Sequence, residues 1–151
     1  MTSAKRWGAL AVKLYSFEIK KQLSFSNLRE AFFQAVSNSS WAHEGYLVAA
    51  DISTDEDFQA ELRRLSASFG IGIIQLDLEQ PESSAILVPA RERDAVDWDA
   101  LNKLAMNKDV QDILKCIKND LQTKEIRKEG YDTILTSEQL VASITKEPSP
   151  G

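Results

Sequence analysis

The sequence predicts an α/β fold, and three observations predict it. Strand-like and helix-like segments alternate from residue 9 to residue 121, the order that layers helices against a sheet. The apolar runs Tyr46 to Ala50 and Ala85 to Val88 have the length of buried strands and fall well short of the roughly 18 residues of a membrane span. With 151 residues, 43% of them apolar, the chain is long enough to build a core without disulfides or a structural metal.

Residues 9–23 are rich in β-formers and contain neither Gly nor Pro, so they read as a long first strand. Alternation sets Tyr15, Phe17 and Ile19 on one face and Ser16, Glu18 and Lys20 on the other. One face is expected in the core, with Ile19 anchoring the strand from behind Glu18 and Lys20. Asn27, with Glu30 three residues on, has the spacing of a capping box. It opens a helix whose apolar stripe is Leu28, Ala31, Phe32, Ala35 and Val36 and which stops near the cluster Ser37 to Ser40. After the strand Tyr46 to Ala50, Thr54 is the expected cap of a second helix with core positions Phe58, Leu62, Leu65 and Phe69, ended by Gly70. Ile71 to Leu78 and Ala85 to Val88 read as further strands. Trp98 to Met106 and Val110 to Leu121 read as helices, the latter with Val110, Ile113, Leu114, Ile117 and Leu121 on one side. Beyond Gln122 the pattern weakens, and the end from Thr145 is expected to be disordered. The expected organisation is a domain over 1–123 and a weakly structured tail over 124–151, with no internal repeat.

Composition narrows the chemistry. Cys116 and His43 are the single residues of their types, too few for a disulfide framework, a Cys/His zinc site or a two-histidine metal face. The run Trp7 to Val12 is ended by Lys13 before a secretory apolar region forms, so a cytoplasmic location is the default expectation, with no membrane partner. The net charge is -5, but residues 1–29 hold six basic side chains against Glu18 alone, whereas the remaining residues hold 12 basic and 22 acidic ones. Such asymmetry marks either an ordinary solvated surface or a local basic edge for a polyanion.

Glu18-Ile19-Lys20 is the most informative triplet. A strand aims Glu18 and Lys20 to the same side with Cα atoms about 7 Å apart. A carboxylate is a hard oxygen ligand for Mg²⁺, and a neighbouring ammonium can orient water or neutralise a scissile phosphate. The same pair is also what a plain surface charge pair on a strand looks like. The longer context, Leu14 to Ala50 (LYSFEIKKQLSFSNLREAFFQAVSNSSWAHEGYLVAA), resembles the corresponding segment of bacterial HrgA-type proteins, which look like members of the restriction-endonuclease-like PD-(D/E)xK superfamily. The similarity extends from about Lys13 to about Leu121.

The resemblance implies a restriction-endonuclease-like mixed sheet flanked by helices and Mg²⁺-dependent hydrolysis of DNA in a restriction or DNA-defence setting. It makes Glu18 the metal-binding acid, Lys20 the catalytic lysine and Gln34, on the following helix, a third catalytic residue facing the site. The alternative for Gln34 is a polar residue on the helix's solvated side. The family pattern also holds an acidic residue, usually Asp, on a strand upstream, yet residues 1–17 contain neither Asp nor Glu. Three explanations are open: a truncation lacking the first elements of the core, which is favoured, migration of the acid to Glu30, or an acid supplied by a partner chain. Expected partners are DNA, a second copy through an exposed edge beside residues 9–23, and a chain supplying the winged-helix-type DNA-binding domain that such proteins often carry. The alternative function is a non-catalytic remnant or a protein or DNA interaction module.

Other residues read more plainly. His43 has no nucleophile motif to serve and is expected to be structural or on the surface. Gly70-Ile71-Gly72 lacks the third glycine of a dinucleotide loop. Cys116 reads as a small core or boundary residue. Asp51, Asp55, Glu56 and Asp57 lack EF-hand spacing and suit the amino end of the second helix. The run Ser37 to Trp41 either contacts phosphates or caps a helix end and turn.

Overall fold

The computed structural model describes residues 12–145. Its elements are β1 (Tyr15–Leu23), α1 (Leu28–Asn38), β2 (Glu44–Ile52), α2 (Glu56–Phe69), β3 (Gly72–Gln75), β4 (Ala85–Val88), α3 (Trp98–Leu104), α4 (Lys108–Thr123) and α5 (Ser137–Thr145). The chain divides into two compact units, one running through Leu104 and the other beginning at Ala105. The first holds a four-stranded mixed sheet in the order β1-β2-β3-β4, with β1, β2 and β3 parallel and β4 antiparallel to β3. This is the α/β architecture that the alternating pattern predicts, with a mixed sheet flanked by helices.

Parallel neighbours taken in chain order, joined by crossovers of one hand, place both connecting helices on the same side of the sheet. The core lies there. Phe32, Leu28, Ala31 and Ala35 of α1 and Phe58, Leu62 and Leu65 of α2 form one buried cluster with Leu47, Ala49 and Ile73 of the sheet and with Leu23, Ile52 and Ile71.

That placement corrects the expected role of Ile19. Register pairs Glu18 with Leu47 and Lys20 with Ala49, so the polar residues of β1 share the covered face. Phe17 pairs with Tyr46 and Ile19 with Val48, on the opposite face, where Tyr15, Phe17 and Ile19 are 44%, 53% and 65% exposed. The Phe17 ring stacks on Tyr15 and Tyr46, with centroids 6.4 and 5.8 Å apart. Ile19 therefore does not anchor the strand in the buried core of the described residues.

The ends of elements differ from expectation for local reasons. Val12 to Leu14 are not in the first strand, and residues 9–11 lie outside those described. The Asn27 side chain makes no cap bond to α1; it accepts from the Ser24 amide and donates to the Gln22 carbonyl, closing the β1–α1 turn. Asp55, not Thr54, caps α2 by accepting from the Phe58 amide at 2.9 Å. Gly70 ends that helix at φ +73°, a left-handed conformation that costs glycine little.

In the second unit α4 opens on Asn107, whose side chain accepts from the Asp109 amide. Asp120 is buried and accepts from the Tyr131 hydroxyl at 2.7 Å and the Arg127 amide at 3.2 Å; the bond to Asp120 pushes the Tyr131 pKa up to about 12. α5 opens on a reciprocal box in which Thr136 Oγ1 accepts from the Gln139 amide and Gln139 Oε1 from the Thr136 amide. The segment expected to be weakly structured thus contains a capped helix; Thr145, where disorder was expected to begin, is its last residue, and the rest of that stretch, 146–151, lies outside the described residues.

Candidate functional site

β1 and α1 run antiparallel, so successive residues along one meet successive turns of the other. Gln34 and Asn38 are four apart on α1 and share a stripe; Glu18 and Lys20 are two apart on β1 and share a face. The four side chains meet. Lys20 Nζ donates to Gln34 Oε1 at 2.6 Å and lies 3.0 Å from Glu18 Oε1, which engages two of its three N–H donors. Asn38 Nδ2 donates to Glu18 Oε2 at 3.1 Å. Ser16, next on the same face, donates its hydroxyl to the Asn38 carbonyl at 3.2 Å.

The electrostatics follow from these contacts. The Lys20 hydrogen bond, helped by Asn38, holds the Glu18 carboxyl below the usual carboxylate range, and partial burial opposes but does not cancel it. The side chains of Glu18 and Lys20 remain 19% and 28% exposed, so the pair is reachable from solvent. Each Glu18 oxygen accepts one bond and keeps a lone pair. Glu18 therefore fits as a single carboxylate ligand to Mg²⁺, an ion held by one or two carboxylates together with waters and substrate phosphates.

The side chains bonded to Glu18, those of Lys20 and Asn38, include no carboxylate. Among the described residues no group of three or more His, Cys, Asp or Glu side chains could hold a metal ion. Glu30 lies on the Gln34–Asn38 stripe, but eight residues of helix separate it from Asn38, about 12 Å along the axis. The structure joins Glu18, Lys20 and Gln34 and leaves Glu30 outside.

The end of α1 is held in place by distant sequence. The Arg93 guanidinium donates to the carbonyls of Ser39 and Ala42 and to Ser39 Oγ, and the Arg93 and Asp97 amides donate to the carbonyls of His43 and Ser40. Gly45 lies against Ser39 so closely that a Cβ there would sit 2.5 Å from Ser39 Cβ. Ser39 is buried in this clamp, which is the turn-capping role for that residue. His43 is structural: its Nδ1 accepts from the Leu14 amide at 3.0 Å.

Asn38 is the site residue that sequence reasoning did not single out. Its spacing of four from Gln34 was the available signal. No family model matches the chain, and no curated protein or solved structure matches it.

Proposed function

We propose that the chain is a PD-(D/E)xK-type, Mg²⁺-dependent DNA nuclease domain of the restriction or DNA-defence kind. The observation that carries this reading is the convergence of Glu18 and Lys20 of β1 with Gln34 of α1 in one hydrogen-bonded group. Mg²⁺ bound at Glu18 would supply Lewis-acid stabilisation of charge on the phosphate. The chain's own residues do the positioning. Gln34 fixes the Lys20 ammonium, whose third donor is left for a phosphate oxygen or a water. Asn38 fixes the Glu18 carboxylate, and its lowered pKa keeps it ionised and able to bind a cation at neutral pH.

A second reading, a non-catalytic protein or DNA interaction module, is favoured by one observation: among the described residues no group of three or more His, Cys, Asp or Glu side chains could hold a metal ion. Calorimetric titration with Mg²⁺ at low ionic strength, paired with a plasmid-nicking assay, separates the two. A nuclease binds Mg²⁺ in a Glu18-dependent way and nicks, and both Glu18→Ala and Lys20→Ala abolish nicking while the far-ultraviolet circular dichroism is unchanged. Cleavage that survives both substitutions rejects the assignment, and neither binding nor nicking in the wild type leaves the interaction module.

A further inference from the structure

We propose that the free edge of β1 is an interface between two copies of this chain, paired antiparallel about Ile19 so that two four-stranded sheets become one of eight strands. β1 stands at the end of the strand order and, among the described residues, pairs only with β2. An edge strand offers its outward N–H and C=O groups as a template for another strand, and proteins blunt such edges with short strands, Pro or bulges. β4, at the other end of the sheet, has four residues. β1 has nine, none of them Pro or Gly, and it carries Tyr15, Phe17 and Ile19 exposed beside the open edge.

A second copy is the occupant that this strand's own charge pattern fits. A two-fold axis through one residue of an antiparallel pair sets the residues on either side of it opposite each other across the interface. Ile19 is the midpoint of Tyr15–Leu23, so an axis there pairs the strand over its full length. It sets Glu18 opposite Lys20 of the second copy and Lys20 opposite that copy's Glu18, two opposite-charge cross-strand pairs. Phe17 then faces Lys21, and Ser16 faces Gln22. Neighbouring registers set like charges opposite: an axis at Glu18 or at Lys20 opposes each to itself, and one at Phe17 opposes Lys13 to Lys21. This interface stands whether or not the Glu18–Lys20 pair does chemistry.

Sedimentation of the full chain from about 1 to about 100 µM, the range in which modest interfaces associate, should give a concentration-dependent species of twice the 16.9 kDa chain mass. In a Cys116→Ser background, Ile19→Cys should close a disulfide-linked dimer on mild oxidation, because opposed Cα atoms lie about 4.5–5.5 Å apart. Phe17→Cys should not, its counterpart lying four residues along, about 14 Å away. Ile19→Lys, an exposed substitution whose fold is checked by circular dichroism, should weaken the dimer about tenfold or more by opposing two ammonium groups. Glu18→Lys should weaken it too, and the double exchange Glu18→Lys with Lys20→Glu should restore it. A chain that stays at 16.9 kDa throughout, cross-linking through residue 17 in place of 19, or a double exchange that restores nothing overturns the proposal.

Discussion

At the residue scale, the candidate site is a polar group held on the covered face of the sheet because each member satisfies another. Glu18 has its pKa lowered first by the Lys20 hydrogen bond and then by Asn38. A carboxyl whose folded pKa lies below its unfolded value adds stability that is complete above the unfolded pKa and is lost as pH falls through the folded one. Acid unfolding of the wild type should therefore steepen below about pH 4, and Glu18→Gln should flatten that limb. Equal acid limbs in the two proteins would show that the Glu18–Lys20 contact is not maintained in solution. The composition of this group was largely legible in the sequence: strand alternation placed Glu18 beside Lys20, and the resemblance added Gln34. Asn38 was missed because it sits where the helix was expected to dissolve into a serine-rich turn.

At the scale of elements, every strand and helix of the first unit was legible, but their ends and faces were less so. Alternation in β1 separates two faces without saying which is covered. The covering is decided by the crossovers, which put α1 and α2 over Leu47, Ala49 and Ile73 and so over Glu18 and Lys20. Caps turned on single residues. Thr54 and Asp55 are adjacent candidates, Asp being the stronger capping residue, and it is the Asp55 carboxylate that reaches the Phe58 amide. Asp55→Ala should cost about 1 kcal/mol in denaturant unfolding and Thr54→Ala only about a third of that or less. A larger loss at Thr54 would move the start of α2. The Thr136–Gln139 box went unread for a different reason: the apolar stripe after it, Leu140, Val141 and Ile144, spans little more than one turn, and capping boxes are sought where a longer periodic run begins.

At the scale of the whole chain, the two units differ in how much they bury. The first has a continuous apolar core from Leu23 to Ile73. Among the described residues of the second, Asp120 alone is buried. The α4 positions Val110, Ile113, Leu114, Ile117 and Leu121, which the spacing marks as one apolar side, are all only half-buried. Periodicity reveals a face and is silent about what covers it, which is why the sequence could not show that α4 lacks a deep core of its own. The energetic consequence is direct. A 16-residue helix draws little stability from propensity and depends on packing of its apolar side, and local opening free energies track burial. Native-state hydrogen exchange should find the slowest amides in β2 and β3, at Leu47, Ala49 and Ile73, exchanging only through global unfolding. Amides in the middle of α4 and in α5 should open at least about 100-fold more readily, in a step insensitive to Phe58→Ala, a core truncation that removes about 3–5 kcal/mol from the first unit. Protection of α4 equal to that of β2, falling together with it in Phe58→Ala, would show that the chain unfolds as one cooperative unit.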